Sequence, residues 1–211
     1  MVDAELKLEV EIKLQLGSFT DYLKLVGYLG AIDSEQRHIN AFFDSEDRVL
    51  ARDGWALRVR AENTRGLVTL KSTTKSQGLA AVREELEAEI ARPAAMDVLN
   101  LRMDPMALRV PPVEFVRGEY PGISPARLVR FENTRQKKRF MIGDRAYTLD
   151  IDRTEFSDGS VDYELEIELG SQDSVETVED CVHKMFSTLE IPFVPQLRSK
   201  FERALEHVRL F

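Results

Sequence analysis

An unbroken alternation of charged and apolar residues opens the chain and constrains its fold more than any other feature. From Glu5 to Leu16 every second residue is Leu, Val or Ile, and the residues between them are Glu, Lys or Gln. A period of two is typical of a β-strand with an apolar face toward a core and a charged face on the opposite side. A solvated surface would explain one such strand, so the remaining segments decide what the charged face does.

The same alternation recurs along the chain. Strands are predicted near residues 55–62, 66–73, 81–91, 129–142, 145–155 and 161–169, with a shorter one at 40–44. Most of them carry two or three charges in phase, so together they predict an antiparallel sheet that closes around a charged interior. Burying charges of both signs costs free energy unless they are paired or bind a ligand. The interior is therefore a candidate binding site.

Helices are predicted to flank this barrel, which makes the fold class α+β. Their expected bounds are Ser18 to about Ala31, residues 94–103, from Ser174 onward, and about Leu197 to Leu210. Asp53 and Gly54 indicate a hairpin turn. The proline-rich segment 105–125 is expected to be irregular.

Composition argues against several functional classes. The 211 residues suit a single domain, 1–211, and the net charge of −8 argues against a nucleic-acid-binding surface. Cys181 is the only cysteine, so we expect no disulfide framework and a reducing, cytoplasmic location. We also expect no signal peptide and no membrane partner, because no apolar run approaches the length of a membrane span.

The first strand contains a candidate metal site. Glu9, Glu11 and Lys13 lie on one strand face, with about 7 Å between successive residues. Two carboxylates at this spacing could share a hard divalent cation, and the ammonium could hold an anion that the cation also contacts. A solvated edge strand is the alternative without a ligand.

Basic residues on other segments are suited to phosphate oxygens. Those predicted to face inward are Arg58, Arg60, Lys71, Lys137 and Arg139. Lys200, beside Ser199 at the predicted start of the last helix, would also favour an anion. Glutamates in phase near the end of the sheet, Glu164, Glu166 and Glu168, would need cations or a metal ion beside them. Salt bridges between these groups would explain them equally well.

Taken in order, these residues resemble the signature of the CYTH superfamily, the triphosphate tunnel metalloenzymes. Glu9, Glu11 and Lys13 match the ExExK motif of that family. The resemblance continues over nearly the whole chain, at Phe43-Asp44, Arg58-x-Arg60, Thr69-x-Lys71, Arg83-x-Glu85-x-Glu87, Lys137-x-Arg139, Asp152, Glu166-x-Glu168 and Arg198-Ser199-Lys200. It implies an eight-stranded antiparallel β-tunnel, open at both ends, with Mg²⁺ or Mn²⁺ as cofactor.

The resemblance also implies roles for individual residues. Metal binding is expected at Glu9, Glu11, Asp152, Glu166 and Glu168. Substrate binding is expected at Lys13, Arg58, Arg60, Lys71, Arg83, Lys137, Arg139 and Lys200. The expected catalytic set is Glu9, Glu11, Lys13, Arg58 and Glu166. Whether Glu164 joins or replaces Glu168 is left open.

The implied activity is metal-dependent hydrolysis of a triphosphate, either inorganic tripolyphosphate or an organic or nucleoside triphosphate. Fixed cations would offset the charge that develops on the leaving oxygen. Two alternatives stay open: an adenylate cyclase of the class IV type, and a non-catalytic polyphosphate- or nucleotide-binding module. The expected partner is a small-molecule triphosphate, and a homodimer is left open as the assembly.

Overall fold

One antiparallel β-sheet organises the chain. The structure, a computed structural model, describes residues 7–73, 75–77, 80–170 and 173–208, with the backbone alone at 75–77. Within these residues the sheet has ten strands: β1 (Lys7–Leu16), β2 (Ser34–Asp44), β3 (Trp55–Ala61), β4 (Arg65–Ser72), β5 (Lys75–Gln77), β6 (Ala80–Ala91), β7 (Ala126–Ile142), β8 (Arg145–Glu155), β9 (Val161–Glu168) and β10 (Val194–Pro195).

Eight of these strands close into a barrel. Their order is β1-β9-β8-β7-β2-β3-β4-β6, and β6 pairs back with β1. Lys13 of β1 is therefore opposite Glu166 of β9, and Glu9 of the same strand is opposite Arg83 of β6. The barrel pairings are antiparallel, and the short strands β5 and β10 pair with β6 and β1 outside the ring. The predicted α+β fold with an eight-stranded antiparallel tunnel is confirmed.

Helices pack against the barrel. Those in the described residues are α1 (Phe19–Leu29), α2 (Val49–Arg52), α3 (Arg92–Leu99), α4 (Pro111–Glu119), α5 (Val175–Thr188) and α6 (Lys200–Glu206). The first begins where predicted because the Ser18 hydroxyl accepts a hydrogen bond from the backbone N–H of Asp21. None of the described helices is long and apolar enough to cross a membrane.

Apolar side chains on the outer face of the barrel form the core. Ile12 and Leu14 of β1 are fully buried there beneath α1 and α5. A second apolar layer, which includes Val59 and Val68, packs against α3 and α4. Because outer positions are used by the core, the alternate positions, which carry most of the charges, face inward.

Helix α6 packs against the inside of the barrel rather than the outside. Phe42, Phe131 and Phe156 cluster with Ala204 of α6. The ring of Phe201, also on α6, stacks on Phe42 with ring centroids 4.4 Å apart. We therefore place α6 in one end of the barrel, in contrast to the tunnel open at both ends that the resemblance implies.

Several local predictions differ from the structure. Strand β2 begins at Ser34 rather than at residue 40, because polar residues on both faces conceal its period. Asp53 and Gly54 follow α2 and do not join two strands directly, since β2 already ends at Asp44. The proline-rich segment contains a short 3₁₀-helix at Pro105–Ala107 and then α4, because proline is tolerated in the first turn of a helix.

The predicted helices at 94–103 and at the C-terminus are shorter than expected. Their described bounds are Arg92–Leu99 and Lys200–Glu206. Glu5 and Leu6 of the predicted first strand, and Leu210 of the last helix, lie outside the described residues.

Candidate functional site

A cavity of about 1340 Å³ lies inside the barrel. Inner-facing residues of β1, β2, β3, β4, β6, β7 and β9 form its wall, together with residues of α6. Pockets of about 300–1,000 Å³ already enclose drug-sized ligands. The cavity therefore has room for a small anionic molecule and for ions or water beside it.

Glu9 and Glu11 of β1 lie in a network of cations. Arg83 Nε donates to Glu9 Oε2 at 2.5 Å, and its Nη2 lies 2.6 Å from Glu11 Oε1. Lys13 Nζ lies 2.8 Å from the same Glu11 oxygen, and Lys71 Nζ lies 3.3 Å from Glu9. Burial opposes ionisation of Glu9, but Lys71 and Arg83 outweigh it and hold the pKa of this carboxyl well below its usual range. Glu9 is therefore anionic at neutral pH.

Lys71 of β4 joins this network to β6. Its Nζ donates to Glu85 Oε2 at 2.6 Å. Burial, with Arg58 and Arg83 nearby, lowers the pKa of Lys71 to about 8, and burial raises the pKa of Glu85. Burial is the largest cause of the shift on Lys71, and the positive charges of Arg58 and Arg83 add to it; a bound anion would offset those charges.

Two arginines extend from β3 into the cavity. Arg58 Nη2 donates to the hydroxyl of Thr69 at 3.0 Å, and that hydroxyl donates to Glu87 at 2.9 Å. Arg60 Nε donates to the side-chain carbonyl of Asn40 at 2.9 Å. Burial, with Arg58 and other cations nearby, lowers the pKa of Arg60 to about 9, so its guanidinium stays charged at neutral pH. The side chains of both arginines line the same cavity inside the barrel.

Arg135 of β7 is the centre of a second network. Its Nε and Nη2 donate to the two oxygens of Asp152, at 2.8 and 2.6 Å, and its Nη1 donates to Asp150 at 2.7 Å. Arg135 also contacts Glu166. Asp152 is fully buried, which opposes its ionisation, but Arg135 and Lys200 hold its pKa well below the ordinary range. The guanidinium thus holds three carboxylates from β8 and β9.

Helix α6 adds two cations to this network. Its first turn is fixed by a capping box in which Ser199 and Glu202 each accept from the other residue's backbone N–H. Lys200 Nζ then lies 2.9 Å from Glu166 and also contacts Glu164. Arg203 donates to Glu164 at 2.5 Å. Glu164 is therefore bound to cations of α6, behind the residues that line the cavity.

The inner face of β2 is neutral. Its cavity-lining residues are Gln36, His38, Asn40 and Phe42. His38 is almost fully buried, and this burial, with Arg60 and Arg135 nearby, lowers the pKa of its imidazole to about 2. His38 is therefore uncharged at neutral pH. The other strands that line the cavity each contribute charged side chains.

The structure brings most of the predicted site residues to one cavity. Those that line it are Glu9, Glu11, Lys13, Arg58, Arg60, Lys71, Arg83, Lys137, Glu166, Glu168 and Lys200. Asp152 lies behind them, where Arg135 holds it. Arg139 is exposed and is not among the lining residues, and its backbone N–H donates to Asp33. Arg135, which was not predicted, lines the cavity instead.

One group of three carboxylates in the described residues has oxygens close enough together to share a metal ion. Oxygens of Asp152, Glu164 and Glu166 lie within 4.8 Å of one another, but each of these residues already contacts Arg135, Lys200 or Arg203. Glu168 lies opposite Glu11 in the strand register, is partly exposed to solvent, and forms no salt bridge with a described residue. Burial, with Glu9 and Glu11 nearby, raises its pKa. A divalent cation between Glu168 and the two β1 glutamates, Glu9 and Glu11, would offset the repulsion among these three carboxylates.

Comparison with known proteins agrees with this geometry. HpAC1 of Hippeastrum, a candidate adenylyl cyclase that reveals a dominant triphosphatase activity, is 26% identical to this chain with a TM-score of 0.76. That match covers 96% of this chain and 97% of HpAC1. A candidate adenylate cyclase from Bacillus halodurans is 22% identical, with a TM-score of 0.66 over 93% of this chain and 97% of its own.

The PH1819 protein of Pyrococcus horikoshii OT3 is 18% identical, with a TM-score of 0.59 over 93% of this chain and 98% of its own. At the lower identities the likeness shows a shared fold alone. None of the curated proteins matches the sequence. The CYTH domain family, however, matches residues 7–198, which is most of the chain. The protein therefore belongs to the CYTH domain family.

Proposed function

We propose that this protein hydrolyses a triphosphate inside the barrel with the help of Mg²⁺ or Mn²⁺. One observation carries the proposal: cations from several strands and from α6 converge on one cavity inside the barrel, beside the carboxylates of Glu9, Glu11 and Glu168. HpAC1, with its dominant triphosphatase activity, has the same fold over nearly its whole length and supports the assignment.

The cations are placed to bind a chain of phosphoryl groups. Arg58 and Arg60 lie side by side on β3, where forked guanidinium groups suit adjacent phosphate oxygens. Lys13, Lys71 and Lys137 add point charges from β1, β4 and β7. Because all of them are held by neighbouring side chains before substrate arrives, little reorganisation is needed when charge develops on the leaving oxygen.

The residues that would hold the metal ion are Glu9, Glu11 and Glu168, which carry the oxygen ligands that Mg²⁺ and Mn²⁺ prefer. When bound, the ion would supply charge stabilisation for the transferring phosphoryl group. Glu166 lies opposite Lys13 in the strand register and close to Lys200, so we assign it the role of orienting those two cations. Asp152 is left with Arg135 rather than with the metal.

A cyclase activity is the second candidate, because HpAC1 is also a candidate adenylyl cyclase. The test is to incubate the protein with tripolyphosphate, ATP and thiamine triphosphate, with Mg²⁺, Mn²⁺ or excess chelator. Released phosphate and cyclic AMP are both measured. We expect phosphate release that depends on the metal. Cyclic AMP as the main product would replace the proposal, and chelator-insensitive hydrolysis would exclude the metal mechanism.

Arg58 offers a matched test of the site. Arg58→Ala should lower kcat/KM for triphosphate hydrolysis by at least about a hundredfold, the scale of losing one main charge-stabilising group. Arg37→Ala, an exposed arginine on β2, is the control and should leave the rate within about twofold of the wild type. Equal rates for wild type and Arg58→Ala would show that the reaction takes place elsewhere.

A further inference from the structure

The two β3 arginines differ from most of the other inner cations in what holds them. Arg58 is hydrogen-bonded to the Thr69 hydroxyl, and Arg60 to the Asn40 carbonyl. The nearest carboxylates, Glu87 and Glu62, lie 3.6 Å from Arg58 and Arg60 respectively, beyond hydrogen-bond distance. Among the described residues, both arginines are thus fixed by neutral oxygens.

Six other cations of the inner wall are each in direct contact with a carboxylate. The closest oxygen lies 3.2 Å away or less for Lys13, Lys71, Arg83, Arg135, Lys137 and Lys200. A carboxylate both positions a cation and offsets its charge, whereas an amide or hydroxyl oxygen only positions it. The β3 arginines therefore keep more of their positive charge available to a ligand.

Thr69 and Asn40 are placed to have this effect. Thr69 is fully buried, and its hydroxyl lies between the Arg58 guanidinium and the Glu87 carboxylate, accepting from one and donating to the other. Asn40 is almost fully buried and faces Arg60 across the β2–β3 pair. Burial and the neighbouring Arg58 lower the pKa of Arg60, and Glu62 at 3.6 Å offsets this only in part.

We propose that Asn40 and Thr69 are positioning residues that hold Arg60 and Arg58 with neutral oxygens, so that the two arginines bind the anionic triphosphate. The inference rests on the proposed function and specifies which cations bind the substrate most directly. Arg83 and Arg135, in contrast, mainly organise carboxylates.

Asn40→Asp is the decisive variant, because it keeps the shape of the side chain and adds a charge. If Asn40 were only structural, an aspartate paired with Arg60 would leave activity unchanged. We expect instead an unchanged or higher melting temperature, with kcat/KM for tripolyphosphate lower by at least about tenfold, the scale of one charge-assisted hydrogen bond. The rise in melting temperature on adding tripolyphosphate should shrink as well.

Asn133→Asp is the matched control. Asn133 is also buried in the inner wall, but its carbonyl accepts from the Thr154 hydroxyl rather than from an arginine. The Asn133→Asp variant introduces the same negative charge. We expect its loss of kcat/KM for tripolyphosphate to be several-fold smaller than that of Asn40→Asp. Equal losses in the two variants would show a general effect of negative charge in the cavity and would overturn the inference.

Thr69 gives an independent test that does not add charge. Thr69→Val removes the hydroxyl and should lower kcat/KM by about tenfold, whereas Thr69→Ser should restore most of it. Thr154→Val makes the same change at another buried inner threonine and should leave kcat/KM within about twofold. Wild-type rates in both Asn40→Asp and Thr69→Val would overturn this inference alone. A wild-type protein that neither binds nor cleaves any triphosphate would overturn the proposed function with it.

Discussion

Replacing Arg135 by methionine should destabilise the protein strongly, and the loss should depend on pH. The change leaves Asp152, which is fully buried, without the guanidinium that donates to both its oxygens. Removing one partner of a buried ion pair costs about 3–5 kcal/mol. Because Lys200 still lies 2.8 Å from Asp152, we expect the lower end, about 3 kcal/mol at pH 7.

The pH dependence follows from the pKa of Asp152. In the wild type its pKa lies below the unfolded value of about 3.9, so the carboxylate contributes stability above that pH and loses it as the pH falls through the folded pKa. Without Arg135, burial should raise the pKa of Asp152 above the unfolded value. Protonation of Asp152 at lower pH then removes the uncompensated buried charge from the variant. The difference in free energy of unfolding between the variant and the wild type should therefore be smaller at pH 4.5 than at pH 7.

Urea denaturation at pH 7 and at pH 4.5 measures the free energy of unfolding of both proteins. With an m-value of about 2–3 kcal/mol/M, the midpoint at pH 7 should fall by about 1 M or more. Arg130→Met is the control: Arg130 lies on the same strand, its partner Glu132 is exposed, and the cost should stay within about 0.5 kcal/mol. Adding Asp152→Asn to Arg135→Met should recover about 1 kcal/mol or more. A loss below about 1 kcal/mol at pH 7, or equal losses at both pH values, would refute the reasoning.

Three further outcomes are expected. Glu9→Gln should lower kcat by at least about a hundredfold and should also lower the melting temperature, because Arg83 and Lys71 lose a charged partner; full activity in that variant would exclude Glu9 from the metal site. Gly66→Ala should destabilise by about 1–3 kcal/mol in urea, because the added Cβ would lie 2.4 Å from Cβ of Ala95, whereas Gly118→Ala, with nothing within 4 Å, should be neutral or stabilising. Arg58→Lys should recover only part of the activity lost in Arg58→Ala, because lysine keeps the charge without the fork; a rate equal to the wild type would contradict bidentate binding.

The strands of the barrel, and the direction in which their charged residues face, could be predicted from the sequence wherever one strand face is strictly apolar. In β1 and β9 the alternation is unbroken, and the inward charges Glu9, Glu11 and Lys13 could be placed from their phase alone. In β7 both faces are polar near Arg135, so the period does not distinguish inside from outside. That is why Arg139 was predicted as a ligand and Arg135 was missed.

A register argument could have found Arg135. The turn at Gly143 and Asp144 is tight, and Ile142 pairs with Arg145. This register pairs Asp152 with Arg135, whereas Arg139 pairs with Thr148. The position of α6 inside the barrel could not be derived in this way, because it depends on packing between aromatic residues far apart in the chain.

Closure through β1 has a consequence for how the chain folds. The first wall strand to be synthesised must pair with β6 and also with β9, whose residues Val161–Glu168 leave the ribosome much later. Until then at least one edge of β1 has no partner, and an unpaired edge is a site of aggregation. Contacts of such long sequence separation place the domain among slow folders, on a scale of about milliseconds to seconds. We therefore expect ring closure to be the late, cooperative step of folding, with amides of β1 and β9 becoming protected from hydrogen exchange together.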